Sequence, residues 1–401
     1  MMKIIRATTV PSSLEVFCKD LLRELSKEYE VIALSSPGQD LEIVSSREGV
    51  RAIGVPMERR ISLIKDLKSL WKIYRVFRSE KPDMVHSMTP KAGLLCMIAS
   101  WLARVPIRVH TFTGLVWPTS TGLQRKILML TDKITCACAT HVIPEGLGVL
   151  NDLKDYKITD KPMRILGYGN IRGVDMHKCS RRAEVMQAAE SIRRPDCFTF
   201  VYVGRIVRDK GINELVQAFV QLIAKNKKKF GNNARQSRLL LIGPYEDNLD
   251  PIAFETRQMI DQTPEIQAVG PKYGDDLLAH YAASDCFVFP SYREGFPNTV
   301  LEAGAMELAS IVTDINGARE IISSVKEKGK GKNEKLDIRE NGVVIPSKDA
   351  DALYDAMLWM MEHEEERLQM GKRAREIVSE RWEQGFVREK LYDFYRETLK
   401  K

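Results

Sequence analysis

Two carboxylates, Glu294 and Glu302, are separated by seven residues and define the chemistry that the chain could perform. The apolar run 286–290 before them predicts a short buried strand. Asn298 lies between them and is the predicted N-cap of a helix over 299–308. A strand, a tight turn and a helix N-terminus direct backbone N–H groups and the positive end of the helix dipole at one point. This arrangement is typical of an anion site.

The two carboxylates limit which anion would suit this place. A carboxylate repels a phosphate, but it accepts hydrogen bonds from the hydroxyl groups of a sugar or a ribose. An anion site between Glu294 and Glu302 therefore favours a ligand with a diphosphate in the middle and a hydroxylated ring at each end. The alternative is structural: Glu302 would be a favourable acid near a helix N-terminus, and Glu294 a solvated turn residue.

Two cations follow an earlier predicted strand, 198–204, which ends in a glycine. A glycine at this position lets a ligand approach the backbone closely. Arg205 can bind two oxygens at once, whereas Lys210 acts as a point charge. Considered alone, the pair could equally be ordinary surface charge.

The elements around these residues alternate between strand and helix. Strands are predicted at 3–10, 29–35 and 50–55, with helices at 14–28 and 41–48 between them, and this pattern indicates a parallel sheet covered on both faces. A last short strand of this half is predicted at 163–166. Ligands bind at the carboxyl ends of such strands, which places the loop that contains Ser12 and Ser13 at the mouth of a cleft.

The alternation restarts at residue 198, after a polar and basic segment without a strand pattern, and it includes short strands predicted at 266–270 and 342–345. We therefore predict two α/β domains with doubly wound parallel sheets. The predicted bounds are 1–175 for the first domain, 176–196 for a linker, 197–381 for the second domain and 382–401 for a last helix. The Lys, Gly and Glu-rich segment 326–335 predicts a mobile loop.

Composition excludes several classes of protein. Of 401 residues, 44% are hydrophobic and 29% charged, which is ordinary for a globular chain. The longest apolar stretch, 93–102, is shorter than the roughly 20 residues that a membrane span needs. The start of the chain leads directly into a strand, so we expect no signal peptide. The seven scattered cysteines fit a reducing cytoplasm, and the spacing of Cys136 and Cys138 is wrong for zinc.

The net charge of +7 is concentrated in one segment, since residues 51–82 hold nine Lys or Arg against three Asp or Glu. The helix predicted at 62–78 has apolar residues at helical spacing, which we expect to face the core. These residues are Leu63, Leu67, Leu70, Trp71, Tyr74 and Phe77. Its cations could be a solvated surface or a patch that contacts anionic lipid.

The motifs closest to Glu294 and Glu302 resemble a known family. The run 286–306, the following 311–320 and the Gly-Arg-x4-Lys-Gly motif at 204–211 resemble the donor site of the retaining family 4 glycosyltransferases. Within that family they are similar to bacterial enzymes of capsule and O-antigen assembly. The similarity covers the whole chain and is densest from 198 to 320.

This resemblance implies a GT-B fold, in which two Rossmann-like domains face each other across a cleft, with the last helix packed back on the first. It implies a hexosyltransferase that moves a sugar from a nucleotide donor, a UDP-sugar, to a lipid-linked or oligosaccharide acceptor, with retention and without a metal or other cofactor. From the cysteines and the basic helix we predict a location in the cytoplasm, with the inner face of the membrane as the alternative.

The resemblance also assigns residues. The catalytic group would be Glu294, Arg205 and Lys210. The donor would contact Gly204, Tyr273, Gly295, Phe296, Pro297, Asn298, Thr299 and Glu302. The acceptor side would include Ser12, Ser13, Thr113 and Gly114. Glu294 would hold sugar hydroxyls and Glu302 the ribose.

One position departs from the family pattern. Family members carry a histidine immediately before the glycine of the turn that ends the fifth strand, and here Thr113 holds that place. The nearest histidine, His110, is three residues earlier and points to the opposite side of the strand. We predict that His110 is a buried structural residue.

Two other functions remain open at this stage. A nucleotide-sugar 2-epimerase of the same architecture would need additional acid and base groups in the first domain, where His86 and His110 are the candidates. A non-catalytic protein that binds nucleic acid or another anion through the basic helix is the second alternative. Salt-dependent DNA binding without UDP binding would favour it.

Overall fold

The computed structural model of the chain describes residues 1–58, 62–231, 235–248, 250–322 and 336–400. The chain divides into two compact units. The first contains Met1–Gly173 together with Gly385–Lys401, and the second contains Val174–Gln384. The predicted mobile loop at 326–335 lies outside the described residues.

The secondary structure follows the predicted alternation of strands and helices. The first unit contains β1 (Lys3–Ala7), α1 (Pro11–Cys18), α2 (Leu21–Leu25), β2 (Glu30–Ser35), α3 (Gln39–Glu48), β3 (Arg51–Gly54), α4 (Leu63–Glu80), β4 (Met84–Met88), α5 (Pro90–Leu102), β5 (Ile107–Phe112), α6 (Gly122–Cys138), β6 (His141–Pro144) and α7 (Leu147–Asp155). The second contains α8 (Ala183–Glu190), β7 (Cys197–Val203), α9 (Ile212–Phe230), β8 (Gln236–Ile242), α10 (Phe254–Gln262), β9 (Ile266–Gly270), α11 (Gly274–Ala282), β10 (Cys286–Phe289), α12 (Asn298–Ala305), β11 (Ser310–Thr313), α13 (Ala318–Ile321), β12 (Asp337–Arg339), β13 (Gly342–Ile345), α14 (Ala350–Glu362) and α15 (Glu364–Trp382). The last helix is α16 (Gln384–Leu399).

The first unit is built on a parallel sheet. Among the described residues it has six strands, in the order β3-β2-β1-β4-β5-β6. Buried residues of α4, α5 and α6 form one core with one face of the sheet. Buried residues of α1, α2, α3 and α16 form a second core with the opposite face. The prediction of a sheet covered on both faces is confirmed for this unit.

Helix α4 does not bury the residues predicted for it. Its buried positions are Ser69, Ile73 and Phe77, which follow one another at intervals of four and lie against the sheet. Of the predicted core residues, Leu63, Leu67 and Trp71 are instead 77%, 65% and 60% exposed. The helix has more apolar positions than a single core-facing stripe can contain, so the prediction was wrong for these three.

A buried polar cluster connects α16 to the sheet of the first unit. The guanidinium of Arg6 on β1 donates from Nη1 to the hydroxyl of Tyr395 at 2.6 Å and contacts His86 Nδ1 at 2.7 Å. Burial lowers the pKa of His86 well below its ordinary value, so the ring is neutral. With Nδ1 accepting, Nε2 carries the proton and donates to Thr111 Oγ1 at 2.7 Å. The last helix contributes the Tyr395 hydroxyl to this cluster, where it contacts both Arg6 and His86 Nδ1, the latter at 2.7 Å.

We expect Tyr395→Phe to lower the melting temperature of the full chain. The substitution leaves the ring packing intact but removes one hydrogen-bond partner of the buried Arg6 guanidinium and of His86, at a cost of about 1–3 kcal/mol. Differential scanning calorimetry would measure the change. Tyr156→Phe is the matched control, because Tyr156 belongs to the same unit and is 44% exposed. Equal melting temperatures for the two variants would contradict the role of the cluster.

The second unit has a larger sheet. Among the described residues its order is β12-β13-β11-β10-β7-β8-β9. The β12–β13 pair is antiparallel, whereas the other neighbours are parallel. The parallel strands β7, β8, β10 and β11 are almost completely buried, as expected for strands covered on both faces.

Several local predictions differ from the structure. The segment 176–196, predicted as a linker, contains α8, whose residues Val185 and Ala189 are buried in the core of the second unit. Two buried apolar residues, Val185 and Ala189, are too weak a pattern to predict a helix within a polar segment. Residues 163–166, predicted as a strand, contribute an isolated bridge from Met163 to Val142. The predicted helix over 14–28 is two helices, because Asp20 adopts a left-handed conformation with φ 62°.

Within the described residues, no helix is long and apolar enough to cross a membrane. All seven cysteines are described, and each is a free thiol.

Candidate functional site

The topology of the second unit selects one edge of its sheet. Strand order reverses between β7 and β10, since β8 and β9 lie on one side of this pair and β11 and β13 on the other. The loops that leave such a pair diverge to opposite faces and form a crevice at the carboxyl ends of the strands. Arg205 and Lys210 follow β7, and Glu294 follows β10, so the predicted residues flank this reversal point.

Glycines hold the loops at this edge in backbone contact. A Cβ on Gly211 would lie 2.0 Å from the carbonyl oxygen of Pro290, and one on Gly317 would lie 2.2 Å from that of Gly295. Both glycines have positive φ, 72° and 73°. A side chain at either position would therefore both clash and strain the backbone. The contacts bring the loops after β7, β10 and β11 together.

The helix after β10 begins one residue earlier than predicted. Pro297 is the N-cap residue of α12, and Asn298 is its first helical residue. The predicted N-cap role of Asn298 was therefore wrong, because its backbone already has helical geometry and no side-chain cap is formed. The helix ends at Ala305 instead of residue 308. The N-terminus of α12, with the amides of Asn298 and Thr299, still lies at the carboxyl edge of the sheet.

The lysine of the predicted site pairs with the first carboxylate. Lys210 Nζ forms an ion pair with Glu294 Oε1, and both side chains are about 15% exposed, at 15% and 16%. The hydroxyl of Ser291 donates to the same carboxylate oxygen at 2.9 Å. The structure thus brings Lys210 and Glu294 together across the reversal point, 84 residues apart in the chain.

The arginine pairs with a carboxylate that the sequence analysis did not select. Arg205 Nη1 lies 2.6 Å from Glu246 Oε2, in the loop after β8. Burial disfavours the charged guanidinium, but the hydrogen bond and charge of Glu246 outweigh it and raise the pKa of Arg205. A second pair joins the same loops, since Arg293 Nη2 lies 2.8 Å from Asp209 Oδ2. Arg205, Lys210 and Arg293 are therefore each paired with a carboxylate of the second unit.

The other predicted donor residues lie at the same edge with different exposures. Phe296 is 4% exposed and packs against Trp382 with ring centroids 5.5 Å apart. Glu302 is the fifth residue of α12 and is half-buried. Tyr273 follows β9, immediately before α11, and is 78% exposed. The remaining predicted residues, Gly204, Gly295, Pro297 and Thr299, lie in the loops after β7 and β10 or in the first turn of α12.

Sequence reasoning missed Glu246 and Ser291. Glu246 is 41 residues from Arg205 in the chain and stands in a loop with other acids, so spacing gives no reason to prefer it. Ser291 had a detectable signal, because it is the second residue after β10 in the stretch that contains Glu294. A polar residue at the end of a buried strand points toward the crevice beyond that strand.

The first unit presents a comparable edge. Its strand order reverses between β1 and β4. Ser12 and Ser13, predicted to lie in a loop, are in the first turn of α1, which begins at Pro11. Thr113 and Gly114 directly follow β5 and are partly exposed. The structure therefore places the four predicted acceptor residues at the carboxyl edge of the first sheet.

Backbone strain marks the same edge. Thr89, after β4, has φ 68° and ψ 143°, a combination that costs a non-glycine residue about 1–3 kcal/mol. Its hydroxyl oxygen accepts from the N–H of Thr9 at 3.0 Å and contacts the Thr9 hydroxyl at 2.8 Å. Thr9 Oγ1 also accepts from the N–H of Ala92 at 3.1 Å. These bonds hold the loops after β1 and β4 together.

A buried carboxyl lies close to Thr113 and was not predicted. Asp132 on α6 lines a cavity of about 20 Å³ together with Thr113 and His110. The indole N–H of Trp117 donates to Asp132 Oδ2 at 3.1 Å. Burial raises the pKa of Asp132 to about 7, although the bond from Trp117 opposes the shift. The cavity can hold about one water molecule.

The two histidines of the first unit are core residues. His110 is 2% exposed, its Nδ1 lies 2.9 Å from Ser87 Oγ, and burial lowers its pKa to about 3. The prediction that His110 is buried is confirmed. His86 is 1% exposed in the cluster with Arg6. Neither ring is therefore available as an acid or base to a ligand at the edge of the sheet.

Two family models match the chain. The model described as "Glycosyl transferases group 1" matches residues 187–377, and the model described as "Glycosyl transferase 4-like domain" matches residues 14–169. Together they include the loops after β4, β5, β7 and β10, whereas the loop after β1 precedes the matched residues.

Curated relatives extend the match over the full length. The chain is 30% identical over 403 residues to the capsular polysaccharide biosynthesis glycosyltransferase CapM of Staphylococcus aureus, and the match covers 99% of this chain and 98% of that one. It is 31% identical over 278 residues to the UDP-Gal:alpha-D-GlcNAc-diphosphoundecaprenol alpha-1,3-galactosyltransferase of Escherichia coli, covering 67% and 68%.

Solved structures share the fold at lower identity. Anabaena Alr3699/HepE in complex with UDP-glucose superposes with a TM-score of 0.76 at 14% identity, covering 99% of this chain and all of that one. Sucrose-phosphate synthase from Thermosynechococcus elongatus gives a TM-score of 0.75 at 18% identity, covering 99% of each chain. The chain has the GT-B fold, and it belongs to the group 1 glycosyltransferases.

Proposed function

We propose that this protein transfers a sugar from a nucleotide donor, a UDP-sugar, to a lipid-linked or oligosaccharide acceptor in surface polysaccharide biosynthesis, with retention at the anomeric carbon. One observation carries the proposal. Two cations, Arg205 and Lys210, lie with the carboxylate Glu294 and the N-terminus of α12 at the reversal point of the second sheet.

The donor would replace the internal partners of the two cations. A diphosphate is a stronger ligand for Arg205 and Lys210 than a single carboxylate, since it offers several charged oxygens. When the donor binds, Lys210 would contact the diphosphate in place of Glu294 or in addition to it. Arg205 would do the same with respect to Glu246. Glu294 would then accept hydrogen bonds from sugar hydroxyls, and Glu302 from the ribose.

The reaction follows from where charge develops. The bond between the anomeric carbon and the diphosphate oxygen breaks, and the acceptor hydroxyl forms a new bond on the same face of the sugar. The proton of that hydroxyl passes to the departing diphosphate oxygen. Arg205, Lys210 and the amides at the start of α12 stabilise the negative charge that accumulates on the diphosphate. We propose that these groups make a metal ion and any other cofactor unnecessary.

The nature of the substrates is supported by the relatives. The Escherichia coli relative is named for a UDP-Gal donor and a diphosphoundecaprenol-linked acceptor, and the Staphylococcus aureus relative for capsular polysaccharide. The seven free thiols are consistent with the cytoplasm, which we propose as the location. The acceptor would bind at the edge of the first sheet, near Thr113, Gly114, Ser12 and Ser13.

We expect a UDP-sugar to raise the melting temperature of the purified protein and to be consumed in the presence of an undecaprenyl-diphosphate-linked sugar. A ligand that binds the folded state at 100 times its dissociation constant stabilises it by about 2.7 kcal/mol. The screen would compare UDP-, GDP- and dTDP-sugars by thermal shift and then by product analysis. Transfer should continue in EDTA. The anomeric configuration of the product, read by NMR, should match that of the donor.

Three results would contradict parts of this proposal. No stabilisation by any nucleotide-sugar would contradict the donor site. Loss of activity in EDTA that Mg²⁺ or Mn²⁺ restores would contradict metal independence. Inversion in the product would contradict the mechanism.

The two histidines named for the epimerase alternative do not support it. It would need acid and base groups in the first unit, and the candidates His86 and His110 are buried and neutral. The same screen would reveal it, since an epimerase converts the free donor without an acceptor. The nucleic-acid alternative is tested by DNA binding at low and high salt.

A further inference from the structure

Helices α4, α5 and α6 of the first unit form one layer whose outer surface is apolar. All three contribute buried residues to the core on the same face of the sheet. Their other sides carry large apolar residues that are more than half exposed. On α4 these are Leu63 at 77%, Ile64 at 72%, Leu67 at 65% and Trp71 at 60%, and on α6 they include Leu123 at 73% and Leu130 at 57%.

The middle helix shows that the surface is continuous. On α5 the positions directed away from the sheet are Leu94, Ile98 and Trp101, which follow at helical intervals. Trp101 is 56% exposed, and Leu94 and Ile98 are half-buried between the flanking helices. A helix whose outer stripe meets water normally carries polar residues there. On α5 only Lys91, in the first turn, is polar on this side, and the three positions that follow it are apolar.

Cations border the apolar surface. Lys68, Lys72 and Arg75 on α4 and Lys126 and Lys133 on α6 are exposed. Among the described residues, no carboxylate lies within ion-pair distance of these five side chains. Two nearby cations differ, because Lys91 pairs with Asp66 at 2.6 Å and Lys65 with Glu58 at 2.5 Å.

Two cavities lie along α4, one apolar and one basic. The apolar cavity, of about 430 Å³, is lined by Leu67, Leu70, Trp71, Tyr74 and Leu102. Arg78 on the last turn of α4 and Lys81 directly after it line a second cavity of about 340 Å³, where Arg104 also lies and Asp83 is the acidic member. The carboxylate of Asp83 accepts from the backbone N–H of Lys3 at 2.7 Å. Apolar and basic surfaces therefore lie next to each other on this helix.

We infer that the outer surface of α4, α5 and α6 docks on a bilayer that contains acidic phospholipids, with Leu67, Trp71 and Leu130 inserted and the bordering lysines on the headgroups. The inference deepens the proposed function, because a lipid-linked acceptor would be met at such a bilayer. Exposed leucine and tryptophan beside lysine is the composition of surfaces that lie in a membrane interface.

The charges argue for lipid over a second copy of the chain. In a symmetric dimer the same patch lies on both sides of the interface. Lys68, Lys72 and Arg75 would then face an equally basic rim, whereas an acidic bilayer neutralises them. Each cation near an acidic surface contributes attraction that weakens as salt is added.

The test is sedimentation of the full chain with phosphatidylglycerol–phosphatidylcholine vesicles and with pure phosphatidylcholine vesicles, at low and high salt. The wild type should bind the acidic vesicles, and the binding should weaken with salt. Leu67→Glu and Leu130→Glu should each reduce the partition coefficient about tenfold or more. Leu368→Glu is the matched control, because Leu368 is 54% exposed on α15 of the second unit, and it should bind as the wild type does.

A second pair of variants separates charge from insertion. Lys68→Gln with Lys72→Gln should weaken binding to acidic vesicles about tenfold or more and leave binding to neutral vesicles unchanged. Equal binding of the wild type to acidic and neutral vesicles would overturn the inference, and so would a loss in Leu368→Glu as large as that in Leu67→Glu. Concentration-dependent dimerisation that Leu67→Glu abolishes would assign the surface to self-association instead. Vesicle binding requires no nucleotide, so a protein that binds vesicles but transfers no sugar would retain this surface and contradict only the proposed function.

Discussion

Arg205→Ala and Lys210→Ala should each lower kcat/KM by about 100-fold or more while the protein stays folded. Both side chains lie after β7 at the reversal point of the second sheet, where they would oppose the charge that develops on the departing diphosphate. Steady-state kinetics with any accepted donor would measure the loss. Thermal unfolding of each variant would show whether the fold is intact.

Arg208→Ala is the matched control for this experiment. Arg208 lies between the two in the chain but is 66% exposed and pairs with Asp250 at 3.0 Å. Its removal should change kcat/KM by less than a few fold. Near-normal kinetics in both Arg205→Ala and Lys210→Ala, or an equal loss in Arg208→Ala, would contradict the assignment of the two cations to the diphosphate.

Glu302→Gln and Glu294→Gln should separate the two halves of the donor. Glu302 is assigned to the ribose, which is present in UDP, so Glu302→Gln should weaken free UDP by about 1.5–3 kcal/mol. Glu294 is assigned to the sugar, so Glu294→Gln should lower turnover with the intact donor. Isothermal titration with UDP and steady-state kinetics on both variants would measure these effects.

The ion pair between Lys210 and Glu294 strengthens this prediction. In the free protein Glu294 competes with the diphosphate for Lys210. Its replacement by glutamine removes a negative charge from the anion site, so UDP should bind Glu294→Gln at least as tightly as the wild type. Weaker UDP binding in Glu294→Gln, of the size seen in Glu302→Gln, would show that the two carboxylates do not serve opposite ends of the donor.

The predicted fold rested on periodicity, and it succeeded for short apolar runs next to turn residues. The strands Ile266–Gly270 and Gly342–Ile345 were predicted to the residue, because short apolar runs bounded by glycine have few other uses. Periodicity failed on α4 for a physical reason. Apolar side chains at helical spacing show that one face of a helix is apolar. They do not show whether that face packs on the sheet or contacts another apolar surface.

For the site, the sequence predicted the position of single residues but not the contacts between them. Positions at the ends of strands could be deduced from the sequence, so Arg205, Lys210 and Glu294 were assigned to one edge. Their partners could not be deduced, since Glu246 reaches Arg205 through strand pairing between β7 and β8. Asp132 could not be predicted either, because it is one polar residue of a long amphipathic helix. Only its contact with Trp117 in the folded protein distinguishes it from the other polar residues.

The return of α16 to the first unit has a consequence for biosynthesis. The beginning of the chain obtains part of its core, including Leu391 and Tyr395, from the last helix. A ribosome must therefore add all of Val174–Gln384 before the first unit can be completed. At about 5–20 residues per second this delay is of the order of tens of seconds. During that interval the nascent first unit exposes the apolar surface that α16 later covers. We expect chaperones to bind this surface until α16 is made. A premature stop near the end of the message would damage the half of the protein that was made first.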